Sequence, residues 1–292
     1  MNTIHITGMS LLTPEGLHSV GRSPQHEAVF DRSLHKGSSL PSGLIRVSSR
    51  KGFNRFSDFG KLCCMAVEEA LGTRAESIGS AKSAGSPGYD SDPDGSLRTA
   101  LVIGNGVSSL HAVAALQDDA VKYGEGNVNP RIFPDTVMNS IGGYVSIYFS
   151  IRGTNVTVSN GGTTAPKAFL YASALLDQGE HDRVIVCVAN LFPPERFRDR
   201  LGIPDPGCEW ISAFVLEPPN GGGVPLARLQ IRTESGREQG SGGSADVPAN
   251  EFDLELIART QSLAGGTWVT VLGAEGVLHA CVHLPGKEEA VS

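Results

Sequence analysis

Several features are scarce in this chain of 292 residues, and each scarcity excludes a class of protein. No run of Lys or Arg occurs and the formal net charge is −7, so the basic footprint that nucleic acid or an anionic membrane surface requires is missing. No stretch approaches the roughly 20 apolar residues of a membrane-spanning helix. The N-terminus has no charged region followed by an apolar stretch and a cleavage site, so the expected location is the cytoplasm. The five cysteines, Cys63, Cys64, Cys187, Cys208 and Cys281, form no C-x-x-C pair, and buried, reduced thiols are the expectation. Gly104-Asn105-Gly106 lacks the third glycine of a dinucleotide loop. There is also no Walker lysine, no zinc-spaced pair and no histidine-rich cluster, so neither a metal nor a cofactor is expected.

What is present is a core-forming α/β pattern. Hydrophobic residues make up 40% of the chain, enough to bury a sizeable core, and 36 glycines suit tight strand–helix turns. Strand patterns fall at 2–7, 99–104, 155–159, 183–189, 211–217, 225–231, 267–272 and 277–284. Helix patterns alternate with them at 55–72, 109–123, 136–150, 163–178 and 252–263. The first of these places Phe56, Phe59, Cys63, Ala66, Val67 and Ala70 on one stripe. Such alternation predicts a mixed or parallel sheet covered by helices on both faces. Residues 76–98 are rich in Ser, Gly, Asp and Ala without periodicity, and residues 233–250 are of the same kind, so both read as mobile segments.

The most telling absence is local. Val156, Thr157 and Val158 lead into Gly161-Gly162, and a small-residue helix follows. A strand–turn–helix of this kind presents one side chain at a helix N-terminus, where the dipole and free N–H groups favour a thiolate or alkoxide. The tip carries glycine instead. Ser159, Thr163 and Thr164 flank it, and Lys167 stands one turn beyond Thr163, where it could in principle activate that hydroxyl. The turn could also hold an anion or pack closely against a partner's backbone.

The flanking segments widen the picture. Upstream is Asn129-Pro130-Arg131-Ile132-Phe133-Pro134-Asp135-Thr136-Val137-Met138-Asn139-Ser140-Ile141-Gly142-Gly143-Tyr144-Val145-Ser146-Ile147, then Arg152-Gly153-Thr154-Asn155. The chain opens Ile4-His5-Ile6-Thr7-Gly8-Met9, with Thr13-Pro14-Glu15-Gly16 following. Over roughly residues 1–232 this resembles the N-terminal half of the β-ketoacyl synthases, whose segments read V-I-T-G-x-G-x-x-T-P-x-G and R-G-P-N-x-T-V-S-T-A-C-A-S-S. Matching Val158-Ser159 to the family's Val-Ser puts its nucleophilic cysteine at Gly162. The resemblance implies a thiolase-like layered αβαβα fold, with the N-terminal half complete (1–232). Residues 233–250 would be a flexible bridge. Residues 251–292 would be the remnant of a truncated C-terminal half, a helix and a hairpin packed on the same domain.

Decarboxylating condensation needs a thiolate, two imidazoles and an oxyanion hole. The family takes its imidazoles from the C-terminal half. Here His279 and His283 alternate with Leu278, Ala280, Val282 and Leu284 on one strand face and lack the family's glycine-rich loops, so solvated strand histidines are expected. A ketosynthase scaffold without its nucleophile resembles the chain-length factors, or ketosynthase-β subunits, of type II polyketide systems, short ones being similar to those of reducing, polyene-forming systems. The resemblance implies no catalytic residue in this chain and a heterodimer with an active ketosynthase, formed through Asn155, Val156, Thr157, Val158 and Ser159. It also implies access to an acyl carrier protein through that complex. The family's tunnel-gate positions fall on Leu110, Val113 and Gln117, which share one helical face. Two alternatives remain open: a decarboxylase or acyltransferase of the same fold using a surrogate residue near the elbow, and a purely structural partner.

Overall fold

The computed structural model describes residues 3–20, 30, 32–45, 52–72, 97–201, 207–234, 245–246, 248–261, 268–273 and 276–283. In chain order the elements are β1 (Thr3–Thr13), β2 (Gly16–Val20), α1 (Asp58–Leu71), β3 (Thr99–Asn105), α2 (Ser108–Tyr123), α3 (Ser140–Phe149), β4 (Asn155–Val158) and α4 (Thr164–Asp177). Then follow β5 (Arg183–Asn190), α5 (Glu195–Leu201), β6 (Trp210–Glu217), β7 (Ala227–Glu234), β8 (Ala245–Asp246), α6 (Phe252–Gln261), β9 (Trp268–Gly273) and β10 (Gly276–His283).

All ten strands join one sheet in the order β4-β3-β5-β6-β1-β7-β10-β9-β8, with β2 folded back on β1. The pairs β4/β3 and β3/β5 are parallel, and β5/β6, β6/β1, β1/β7, β7/β10 and β10/β9 are antiparallel. The central strands are apolar on both faces because both faces are covered by helices. Ala100, Val102, Val184, Val186, Trp210 and Phe214 enter one core with Phe169 of α4 and Phe252 and Leu256 of α6. Leu101, Ile103, Ile185, Cys187, Ala213 and Val215 enter the other, against α1 and α3. The fold is a layered, thiolase-like α/β arrangement.

The Ile4–Met9 segment has a clear structural reason. Strand β1 shifts register between Ile6 and Gly8 where it pairs with β6. At Gly8 the helix α1 comes so close that a Cβ would lie 2.1 Å from the Ala70 carbonyl oxygen. Two residues on, the Ser10 hydroxyl donates to the Ala66 carbonyl at 2.6 Å. Helix α1 is thus laid directly on the strand, its start capped by Ser57 Oγ, which accepts from the Gly60 N–H.

Differences from the sequence reading are local. Strand β1 runs on to Thr13 and turns back as β2, and α5 forms where no helix was expected. Strand β7 passes through the boundary expected at 232/233, and Ala245-Asp246 pair with β9 inside the expected bridge. Residues 235–244 and 247 of that bridge, and 76–96 of the earlier Ser/Gly-rich segment, lie outside the described residues. His279 is a correction: at 4% exposure it is buried, not solvated, while His283 is half-buried. Among the described residues no helix is long and apolar enough to cross a membrane.

Candidate functional site

Strands β3, β4 and β5 are parallel, so their carboxyl ends open on the same edge, where open α/β sheets place their sites. Each strand end contributes a distinct turn. After β3, the buried Asn105 caps α2: its Oδ1 accepts from the N–H groups of Val107 and Ser108 at 3.3 and 3.1 Å. Its Nδ2 donates to the Ser108 hydroxyl.

After β4 comes the elbow. Gly161 has φ +54°, a left-handed conformation that favours glycine, and Gly161–Thr163 form a 3-10 turn that runs into α4. The nearby hydroxyls are committed to this turn. Thr164 Oγ1 accepts from Asn160 N–H at 2.9 Å and donates to the Gly161 carbonyl at 2.8 Å. Thr163 Oγ1 donates to the Asn160 carbonyl at 3.0 Å and takes the Asn160 amide N–H. Lys167 lies half-buried a turn further along α4, and Ser159 is exposed just beyond β4.

These turns enclose a cavity of about 330 Å³ lined by Gly162, Ser159, Leu110, Met138, Asn190 and Asn250 among others. Asn190, at the end of β5, has a side-chain nitrogen shielded from water and without a hydrogen-bond partner. Asn250 arrives on the turn preceding α6, so the C-terminal segment helps to close the site. Sequence reasoning missed both asparagines; their place at the ends of elements was the one available signal.

All five cysteines are buried, and none is joined in a disulfide. The Cys187 thiol is pushed well above its ordinary value by its hydrogen bond with Cys63 and by burial, so no thiolate is available there. His111 of α2 points away from the elbow, its Nε2 on the Phe192 carbonyl at 2.8 Å. His279 and His283 lie on β10, paired between β7 and β9, and neither lines the cavity.

The three positions expected to form a gate are separated by the structure. Leu110 lines the cavity. Val113 is half-buried and does not line it. Gln117 is exposed, and its Oε1 accepts from Arg196 of α5 at 3.3 Å. Of the interface positions, Asn155 to Val158 form β4, the end of the sheet path, while Ser159 has left the strand and lines the cavity. The Thr157 hydroxyl is buried there without a partner.

Known proteins share this fold. Residues 75–199 match the family described as beta-ketoacyl synthase, N-terminal domain. Two curated relatives, the 3-oxoacyl-(acyl-carrier-protein) synthase 2 proteins of Vibrio cholerae and Vibrio harveyi, are each 26% identical over 98 residues, 34% of this chain. The match spans only 24% of the length of those relatives. Among solved structures, the ishigamide ketosynthase/chain length factor aligns with a TM-score of 0.65 at 17% identity, covering 97% of this chain and 100% of that one. The Xenorhabdus doucetiae ketosynthase ApeO in complex with its chain length factor ApeC gives 0.60 at 16%, covering 96% and 99%. AntDE:AntF, a type II PKS acyl-carrier protein in complex with its ketosynthase, gives 0.68 at 12%, covering 97% and 99%. The fold of this chain is therefore the one found in ketosynthase–chain-length-factor complexes.

Proposed function

We propose that this chain is a noncatalytic, chain-length-factor-like subunit that pairs with an active ketosynthase and shapes the tunnel holding the growing acyl chain. The observation that carries the reading is the elbow: its backbone is built as for a nucleophile, but Gly162 stands at the tip and the Thr163 and Thr164 protons are spent on backbone carbonyls. A condensing thiolate and its imidazoles would come from the partner. The finer reading, a C-terminally shortened subunit of a reducing, polyene-forming type II system served by an acyl carrier protein, extends the same proposal.

The surface supports pairing. Strand β4 ends the sheet path with one edge unpaired among the described residues, and such an edge is normally covered. The helices beside it present Ile147 at 63% and Tyr171 at 53% exposure. A second chain applied to this edge would cover both and extend the sheet.

The test is co-expression with a catalytically complete ketosynthase from the same source as candidate partner. The reading expects one-to-one co-purification, aggregation of the chain made alone, and no turnover of malonyl-carrier protein by the isolated chain. A monodisperse monomer that decarboxylates malonyl-carrier protein unaided would establish the surrogate-residue alternative instead.

A further inference from the structure

We propose that Arg196 on α5 is a positioning residue for α2, and that the segment joining β5 to α5 fixes where α2 stands beside the cavity. The inference rests on the chain-length reading above. Helix α2 is held by little of its own length: Ser108, Ser109, Ala112 and Ala114 are its buried residues. Its far end stands in solvent, with Val121 89% and Tyr123 53% exposed. Its buried side chains thus all lie in the first two turns.

Polar contacts from 192–196 reach its middle, from His111 to Asp118, while Asp119 Oδ2 accepts from the Asn129 N–H at 3.1 Å further on. His111 Nε2 donates to the Phe192 carbonyl at 2.8 Å. Arg196 Nη1 donates to the Ala114 carbonyl at 3.5 Å and to Gln117 Oε1 at 3.3 Å, and Nη2 pairs with the Asp118 carboxylate. One planar guanidinium thus reads a backbone carbonyl, an amide and a carboxylate at positions 114, 117 and 118 on one face of the helix, a geometry that the single ammonium of lysine cannot reproduce.

The seat itself is fixed. The Phe192 N–H donates to Glu209 Oε1 at 3.0 Å, and the other oxygen of this buried carboxylate takes the Leu40 N–H at 2.9 Å. Helix α2 stands between two hollows, the elbow cavity on the Leu110 side and a second of about 300 Å³ lined by Ser108, His111 and Ala112 with Phe59 and Asp135. A small rotation of α2 enlarges one hollow at the expense of the other. Arg196, on the exposed side, sets that rotation without touching the cavity. Because the ion pair with Asp118 is largely exposed, losing it changes orientation more than stability.

The experiment compares Arg196→Ala and Leu110→Ala in the reconstituted heterodimer by mass spectrometry of released products, with melting temperature and co-purification measured on the same samples. The expected result is at least a threefold change in the ratio of the main product to its next-longer homologue in Arg196→Ala, with melting and pairing unchanged. If Leu110→Ala shifts the ratio and Arg196→Ala does not, the positioning role is wrong and the chain-length reading stands. If neither shifts it, the chain-length reading falls and the role with it. Loss of pairing with an unaltered product ratio would also overturn the role, leaving Arg196 a merely structural contact.

Discussion

The ring of Phe169 on α4 meets the ring of Phe252 on α6 edge to face, centroids 5.5 Å apart and planes at 76°. The other side of Phe169 faces Phe214 of β6 at 4.9 Å in the same manner. Through this triad the helix that leaves the elbow is joined to the C-terminal segment, which also supplies Asn250 to the cavity. The C-terminal residues are thus part of the site's wall rather than an appendage.

Phe252 is fully buried at the start of α6, so Phe252→Ala leaves a void that the two helices close only in part. A loss of about 3–5 kcal/mol is expected. It should appear as a lowered urea midpoint for the heterodimer. A loss below about 1 kcal/mol, the range of surface substitutions, would mean that α6 is not anchored there.

Asp253 gives a pH prediction. Its Oδ2 accepts from Trp210 Nε1 at 2.9 Å and Ser212 Oγ at 2.6 Å, and the whole side chain is buried. Burial raises its pKa, and the hydrogen bonds from Ser212, Trp210 and the backbone N–H groups of Asp253 and Leu254 only partly oppose this. A carboxyl raised on folding leaves stability fully present below its unfolded value of roughly 3.9, and stability falls as pH climbs from there through the folded value. Asp253→Asn removes the charge while an amide oxygen can still accept both bonds. The variant should melt higher than the parent at pH 7–8, with the advantage vanishing near pH 3.5. An advantage independent of pH would mean that Asp253 does not carry this cost.

Much of the architecture was legible because the central strands are long apolar runs and the helices carry single stripes. Gly8 was legible as a motif, and the structure supplies its reason in the Ala70 carbonyl. Helix α5 was not legible: Glu195–Leu201 holds five charged residues in Glu-Arg-Phe-Arg-Asp-Arg-Leu before any apolar period is complete. The site was half legible. Gly162 was read from the elbow and Leu110 from the family resemblance, and both line the cavity, whereas Asn190 and Asn250 come from distant strand and helix ends that only the closed sheet brings together. His279 was misread because alternation alone does not tell which strand face is covered.

Gly162 should be dispensable for chemistry and sensitive to size. Gly162→Cys restores a thiol at the elbow but no imidazole, since neither His279 nor His283 lines the cavity, so the purified chain should gain no condensing activity. Gly162→Trp should weaken assembly by about 1–3 kcal/mol through overpacking. Condensation by the Cys variant without a partner, read from carrier-protein-bound products, would overturn the noncatalytic reading.

The gate itself offers the most direct test. Leu110 borders the elbow cavity and Val113 follows it on the same side of α2, half-buried one turn on. If this stripe ends the acyl tunnel, Leu110→Ala opens space for further methylenes, each adding about 0.8 kcal/mol when buried, and products should lengthen by one or more extension units. Val113→Phe fills the same direction and should shorten them. Rates per condensation should change less than lengths, because under the proposed function the reacting carbons are held by the partner and not by this helix. Mass spectrometry of the reconstituted pair reads both effects. Unchanged lengths in both variants would place Leu110 and Val113 in the ordinary core of the subunit and put the stop elsewhere.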